Sequence, residues 1–409
     1  MDAKNISILD FTYNLPEEKI AKHPLPEREI SKLLIYKKGK IVENIYMNIA
    51  SYIPEDALLI FNNTRVIEAR LIFQKTTGGL IEIFCLEPGE QYPDISTALQ
   101  QKKKVIWKCL IGGASKWKHG QVLEKKIKVN STEITLTASL IQKHDDYFSI
   151  ELSWKPEKLC FAEVLHHAGI IPLPPYLKRE TQSSDTERYQ TVYAKNEGSV
   201  AAPTAGLHFT DSLLKKLTER HIRKQEITLH VGAGTFMPVK AETLAGHNMH
   251  AELIEVRKTI IQLLIENLNN HIIPVGTTSL RTLESLYWMG IKIIDEPDIP
   301  LEKLIIHQWD AYELVRQEVT AKKSLQSLLG WMQKNNIETL ITKTQLLIVP
   351  GYQFKIITAL ITNFHQPQST LLLLVAALIG DDWRKIYNYA LTNNFRFLSY
   401  GDGCLLFRN

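Results

Sequence analysis

His208 and His230 each stand in a stretch rich in glycine, alanine, threonine and proline, GSVAAPTAGLHFT (198–210) and LHVGAGTFMPV (229–239), among residues too small to bury an imidazole. An imidazole beside open backbone can give or take a proton near neutral pH. Glycine lets a ligand reach the main chain, and threonine adds a hydroxyl next to it. Either stretch alone could be an ordinary connecting loop. Two of them flanking one helix are harder to read that way.

Other polar residues fall where strands are expected to end. Gly276, Thr277, Thr278 and Ser279 close one expected strand and open a helix with Arg281 in its first turn. Amides, hydroxyls and a guanidinium placed so make a cup for a carboxylate or phosphate, although a helix capped by its own threonines would look the same. FNNTRV (61–66) places Asn62, Asn63, Thr64 and Arg65 after a strand that is apolar on both faces. TNFHQPQST (362–370) places Thr362, Asn363 and His365 between a strand and a helix. Open α/β sheets bind ligands at that edge, while an Asx turn with a solvated arginine is the alternative for FNNTRV. Asp402, between Gly401 and Gly403, fits turn chemistry.

Several chemistries are disfavoured. His247, His250 and Glu252, with His230 upstream, offer metal-ligating atoms, but they lack the helical HExxH arrangement and no metal is expected. No GxSxG elbow, activated cysteine or complete dinucleotide fingerprint occurs. What remains suits acid–base work on a polar organic substrate.

These residues need a large scaffold, and 409 residues at 44% hydrophobic content suffice for two domains. The net charge of +4, from 48 basic against 44 acidic residues, is too balanced for nucleic-acid binding by bulk charge, so any RNA contact would be local. Four cysteines without a CxxC pair fit a reducing cytoplasm. No signal-like apolar core opens the chain, and the apolar run 371–379 reads as a buried helix, so no membrane association is expected.

Periodicity predicts strands over 33–36 and 57–61, then short β-rich runs from 69 to 154 separated by glycine and aspartate turns. We read these runs as a small antiparallel barrel in which Trp107, Trp117 and Trp154 fill the core or stack bases. Prolines at 172–175 would display Lys178 and Arg179 on a stiff arm or linker. Thr210 is expected to cap a helix that buries Leu213, Leu214 and Leu217. A β-α-β-α rhythm follows over 252–285, then an amphipathic helix carrying Leu325, Leu328, Leu329 and Met332, a strand at 345–349, and a last hairpin turning at 401–403. The expected fold class is α/β, with a main domain of residues 1–68 plus 156–409 and an inserted β-barrel over 69–155.

FNNTRVIEARL, GSVAAPTAGLHFT, LHVGAGTFMPV, VGTTSLRTLES, VPGYQFK, LITNFHQPQSTLLLLV and FLSYGDG occur in this order. Together they closely resemble the S-adenosylmethionine:tRNA ribosyltransferase-isomerases of queuosine biosynthesis. The resemblance implies transfer and isomerisation of the ribosyl part of S-adenosylmethionine onto 7-aminomethyl-7-deazaguanine at the tRNA wobble position, forming epoxyqueuosine-tRNA and releasing adenine and methionine. It implies no cofactor beyond S-adenosylmethionine as co-substrate, tRNA as partner, and a cytoplasmic enzyme expected to be monomeric. On matching positions it suggests His208, His230 and Asp402 for proton transfer. Asn63, Arg65, Thr204, Gly206, Gly232, Gly234, Thr277, Ser279, Arg281, Asn363 and His365 would bind substrate. Two departures, a longer span between TLES and VPGY and GDGCLL at the tail, leave open a related transferase with another acceptor, or an inactive RNA-binding protein.

Overall fold

Leu58–Asn62 is buried at every position, as a strand covered on both faces must be. In the computed structural model of the chain, which describes residues 2–118, 120–232, 241–314 and 319–409, this strand is second in a five-stranded sheet. Its parallel neighbours are Ile272–Pro274 on one side and Arg223–His230 on the other. Glu252–Arg257 and Thr339–Thr344 then continue the sheet in antiparallel fashion. A four-stranded sheet runs Ala359–Asn363, Gly403–Phe407, Lys32–Lys37, Lys40–Ile45. One parallel bridge, Val275 to Ile361, joins the two.

The 19-residue helix Thr277–Asp295 crosses this sheet and buries most of its side chains. Gly276 at its entry has φ +92, a conformation glycine adopts at little cost. Pro297 follows its end. Glu284 within it is wholly buried, accepting hydrogen bonds from the Lys355, Ile356 and Ile357 amides and the Tyr352 hydroxyl. Helix Ala321–Lys334 packs against it so closely that a Cβ on Gly290 would stand 2.2 Å from the Ser324 carbonyl oxygen. Thr210 caps Asp211–Glu219 by accepting from the Leu213 amide, and Leu213, Leu214 and Leu217 are buried.

Six strands from Arg70–Gln74 to Phe148–Lys155, with Gly169–Ile170 at one edge, make a curled seven-stranded antiparallel sheet. Lys125 on the opposite edge strand donates to the Ala168 carbonyl, bringing the two edges together. Trp107, Trp117 and Trp154 are all buried in its core, where they cannot stack bases. That core also takes in Phe161, Val164 and Leu165 of helix Phe161–Ala168.

Three expectations about elements are corrected. Residues 345–349 are not a strand, because side chains occupy their backbone groups: Arg281 donates to the Leu346 carbonyl, Tyr312 to that of Leu347, and the Val349 amide donates to the Tyr312 hydroxyl. The terminal hairpin is absent, since Gly403–Phe407 pairs with Ala359–Asn363 and Lys32–Lys37 instead. Arg179 is not displayed. It makes a two-pronged ion pair with buried Asp185, both contacts at 2.7 Å.

Candidate functional site

The C-terminal ends of the parallel strands open into a cleft of roughly 730 Å³, part of it open to solvent. Three segments form its walls: residues 201–205 of the small-residue stretch, Gly276 to Thr278 at the start of the long helix, and Thr362 to Gln366 after Ala359–Asn363. Tyr176, Tyr189, Val231, Ser369, Leu371, Leu398 and Ser399 complete the described lining. No side-chain hydrogen bond caps the helix start at Gly276. Among the described residues no side chain therefore occupies its first amides, which suits a ligand there.

Among the described lining residues no carboxylate, lysine or arginine occurs, and the titratable groups are two tyrosines and His365. His365 hydrogen-bonds Thr362 Oγ1 through Nε2 at 2.9 Å. Burial lowers its pKa to about 3, so the ring is neutral at physiological pH. Thr204 Oγ1 donates to Asn363 Oδ1 at 2.9 Å, which turns the Asn363 amide nitrogen toward His208 Nε2 at 3.2 Å. In this arrangement Nε2 accepts, leaving the proton on Nδ1. The His208 ring also stacks on Tyr46, centroids 4.1 Å apart. Burial, reinforced by the charge of Arg396, brings its pKa down to about 3.

Of the residues singled out from sequence, Thr204, Gly276, Thr277, Thr278, Thr362, Asn363 and His365 line the cleft, and His208 contacts it through Asn363. The others are engaged elsewhere. Ser279 Oγ donates to the Val275 carbonyl at 2.9 Å, and buried Arg281 pairs with Glu252. Asn63 binds Thr228 and Glu226, tying its loop to Arg223–His230. Arg65 is exposed, 3.9 Å from Glu197. A Cβ on Gly206 would come within 1.9 Å of the Tyr193 hydroxyl, so glycine there makes room for a neighbour in the protein. Gly232 faces His250 instead of the cleft, and Gly234 lies outside the described residues.

His230 is held between Thr64 Oγ1 and Glu255 Oε1, each at 3.2 Å, and only its neighbour Val231 reaches the cleft. Asp402 accepts from the Lys32 amide at 2.9 Å and the Arg396 amide at 2.7 Å. Burial raises its pKa despite those bonds. The carboxylate thus clasps two backbone segments, one at Lys32 and one at Arg396. His250 Nε2 lies 3.4 Å from Glu252 Oε1, and Arg281 shares that carboxylate, so this acid serves an ion-pair network.

Sequence reasoning missed Tyr176, Tyr189, Ser369 and Ser399 as lining groups. Tyr176 and Ser399 hydrogen-bond each other at 2.6 Å. The signal was present, since Ser399 precedes Tyr400-Gly401-Asp402 and Ser369 ends the His365 motif, but nothing local says which side chains turn inward.

Residues 8–406 match the sequence model of the family described as queuosine biosynthesis protein. A crystal structure of S-adenosylmethionine tRNA ribosyltransferase from Thermotoga maritima is 28% identical to this chain, covering 97% of it and 99% of that chain, with a TM-score of 0.45. Because the family match runs through all three cleft walls and almost from end to end, this chain belongs to the queuosine biosynthesis protein family.

Proposed function

We propose that this protein transfers the ribosyl part of S-adenosylmethionine to 7-aminomethyl-7-deazaguanine at the tRNA wobble position and isomerises it, giving epoxyqueuosine-tRNA, adenine and methionine. The observation that carries this reading is the cleft: the motifs shared with the ribosyltransferase-isomerases form its walls. Its described lining suits a sulfonium nucleoside. The Tyr176 and Tyr189 rings can face the positive sulfur, and the uncapped start of Thr277–Asp295 can take the methionine carboxylate.

The positive sulfur acidifies the adjacent ribose carbon, so a neutral imidazole can serve as the base. His365 is the neutral imidazole on the cleft wall, and we assign it that role ahead of His208 and His230. His208 then holds the Asn363 amide, which with Thr204 and Thr277 orients the substrate. We also read residues 69–155, completed by the helix and edge strand that follow them to Ile170, as an inserted barrel domain, the remainder as the catalytic domain, and the enzyme as a cytoplasmic monomer. Among the described residues no helix is long and apolar enough to cross a membrane.

Adenine release, measured chromatographically with S-adenosylmethionine and tRNA carrying the deazaguanine base, tests the reaction. Folded protein that binds this tRNA but releases no adenine would sink it and favour an RNA-binding role. Release only with other RNAs or free nucleobases would identify a transferase with another acceptor. That second reading draws on helix Ala321–Lys334, which lies in the longer span between TLES and VPGY.

A further inference from the structure

A second, smaller depression, whose roughly 270 Å³ of empty space includes open solvent, lies beside the cleft and shares Ser399 with it. Arg28, Arg188, Ser31, His208 and Tyr400 line it, and the His208–Asn363 hydrogen bond spans the partition between the two. Both guanidinium groups are clamped by backbone. Arg28 donates to the Gln190, Leu207 and Glu187 carbonyls, and Arg188 to those of Pro26 and Leu25.

Carbonyl oxygens fix the two groups but do not neutralise them, and among the described residues neither makes an ion pair. Glu187 offsets Arg28 only at longer range, while burial and the charge of Arg188 lower the Arg28 pKa from its ordinary value. Arg188 Nε is buried with no hydrogen-bond partner. Two guanidinium groups fixed by neutral carbonyls, with no carboxylate in direct contact with either among the described residues, are the makings of an anion site.

We propose that this pocket binds a backbone phosphodiester of the RNA substrate, next to the nucleotide whose base enters the main cleft. The assignment rests on the tRNA reading above. It supplies the local RNA contact that a nearly balanced net charge requires.

Binding of an anticodon stem-loop RNA, titrated from about 0.05 to 0.2 M salt without S-adenosylmethionine, tests it. Arg188→Gln should weaken binding several-fold and reduce the logarithmic salt slope by about one, whereas Arg188→Lys keeps the slope. Pro24→Glu adds a carboxylate at the rim with both clamps intact, and should act like Arg188→Gln at an unchanged melting temperature. Inorganic phosphate should compete with the RNA. An unchanged slope in both Arg188→Gln and Pro24→Glu overturns the proposal, and so does phosphate that binds without competing. Because RNA affinity is read without catalysis, a protein that releases no adenine but shows the reduced slope still has the anion site. Adenine release with an unchanged slope sinks the pocket alone.

Discussion

At the level of single residues, burial decides which histidines can do what. His365 has a pKa of about 3, so above that pH it stays a proton acceptor. His365→Ala should lower adenine release by roughly 10²- to 10⁴-fold, the usual worth of a general base, with a smaller change in KM for S-adenosylmethionine. The wild-type pH–rate profile should show no acid limb near pH 6.5. A limb there would point to a histidine of ordinary pKa. His208 and His365 also carry a stability signature. Unfolding returns each from about 3 to the ordinary histidine value of 6.5, so between those values the unfolded chain binds more protons. Stability should therefore fall as pH drops below about 6.5, visible as urea midpoints that decline with acidity. Asp402→Asn places an amide donor against a backbone N–H and should cost about 1–3 kcal/mol in urea unfolding. Its pH–rate profile should keep the wild-type shape, as a positioning role requires.

At the level of elements, helix Thr277–Asp295 organises the site, and two contacts hold it. Gly290→Ala would drive a methyl into the Ser324 carbonyl and push Ala321–Lys334 away, with an expected loss of about 1–3 kcal/mol by denaturant unfolding. Glu284→Gln should cost a similar amount, because one amide end would face backbone donors. Local chemistry made much of this legible in the sequence. The Thr210 cap, the leucine face of Asp211–Glu219 and the cleft-lining stretch 201–205 follow from residue type and spacing. What was illegible depends on distant partners. Arg281 reads as an anion ligand until Glu252 is seen beside it. The expected turn at 401–403 falls instead at Leu398–Gly401, where the Gly401 amide donates to the Leu398 carbonyl, and turn residues do not say which strand comes next: Gly403–Phe407 pairs in parallel with Lys32–Lys37.

For the whole molecule, the run of short strands announced a separate antiparallel sheet, yet sequence placed its end at residue 155, before a helix that shares its core. Phe161, Val164 and Leu165 pack with Trp107 and Trp154. A fragment spanning 67–170 should therefore unfold cooperatively, while one cut at 69–155 should not, as melting followed by circular dichroism would show. The join between the two main sheets has a different consequence. The cleft sits at the end of the join between the two sheets, where the Gly276 amide donates to the Ile361 carbonyl at 2.8 Å and, further along, the Thr358 amide donates to the Ile272 carbonyl at 3.0 Å. A seam this short is a place where the sheet can breathe. The Gly276 amide should exchange for deuterium sooner than those within Leu58–Asn62, and slow once a ligand spans both walls and bolts the two sheets together.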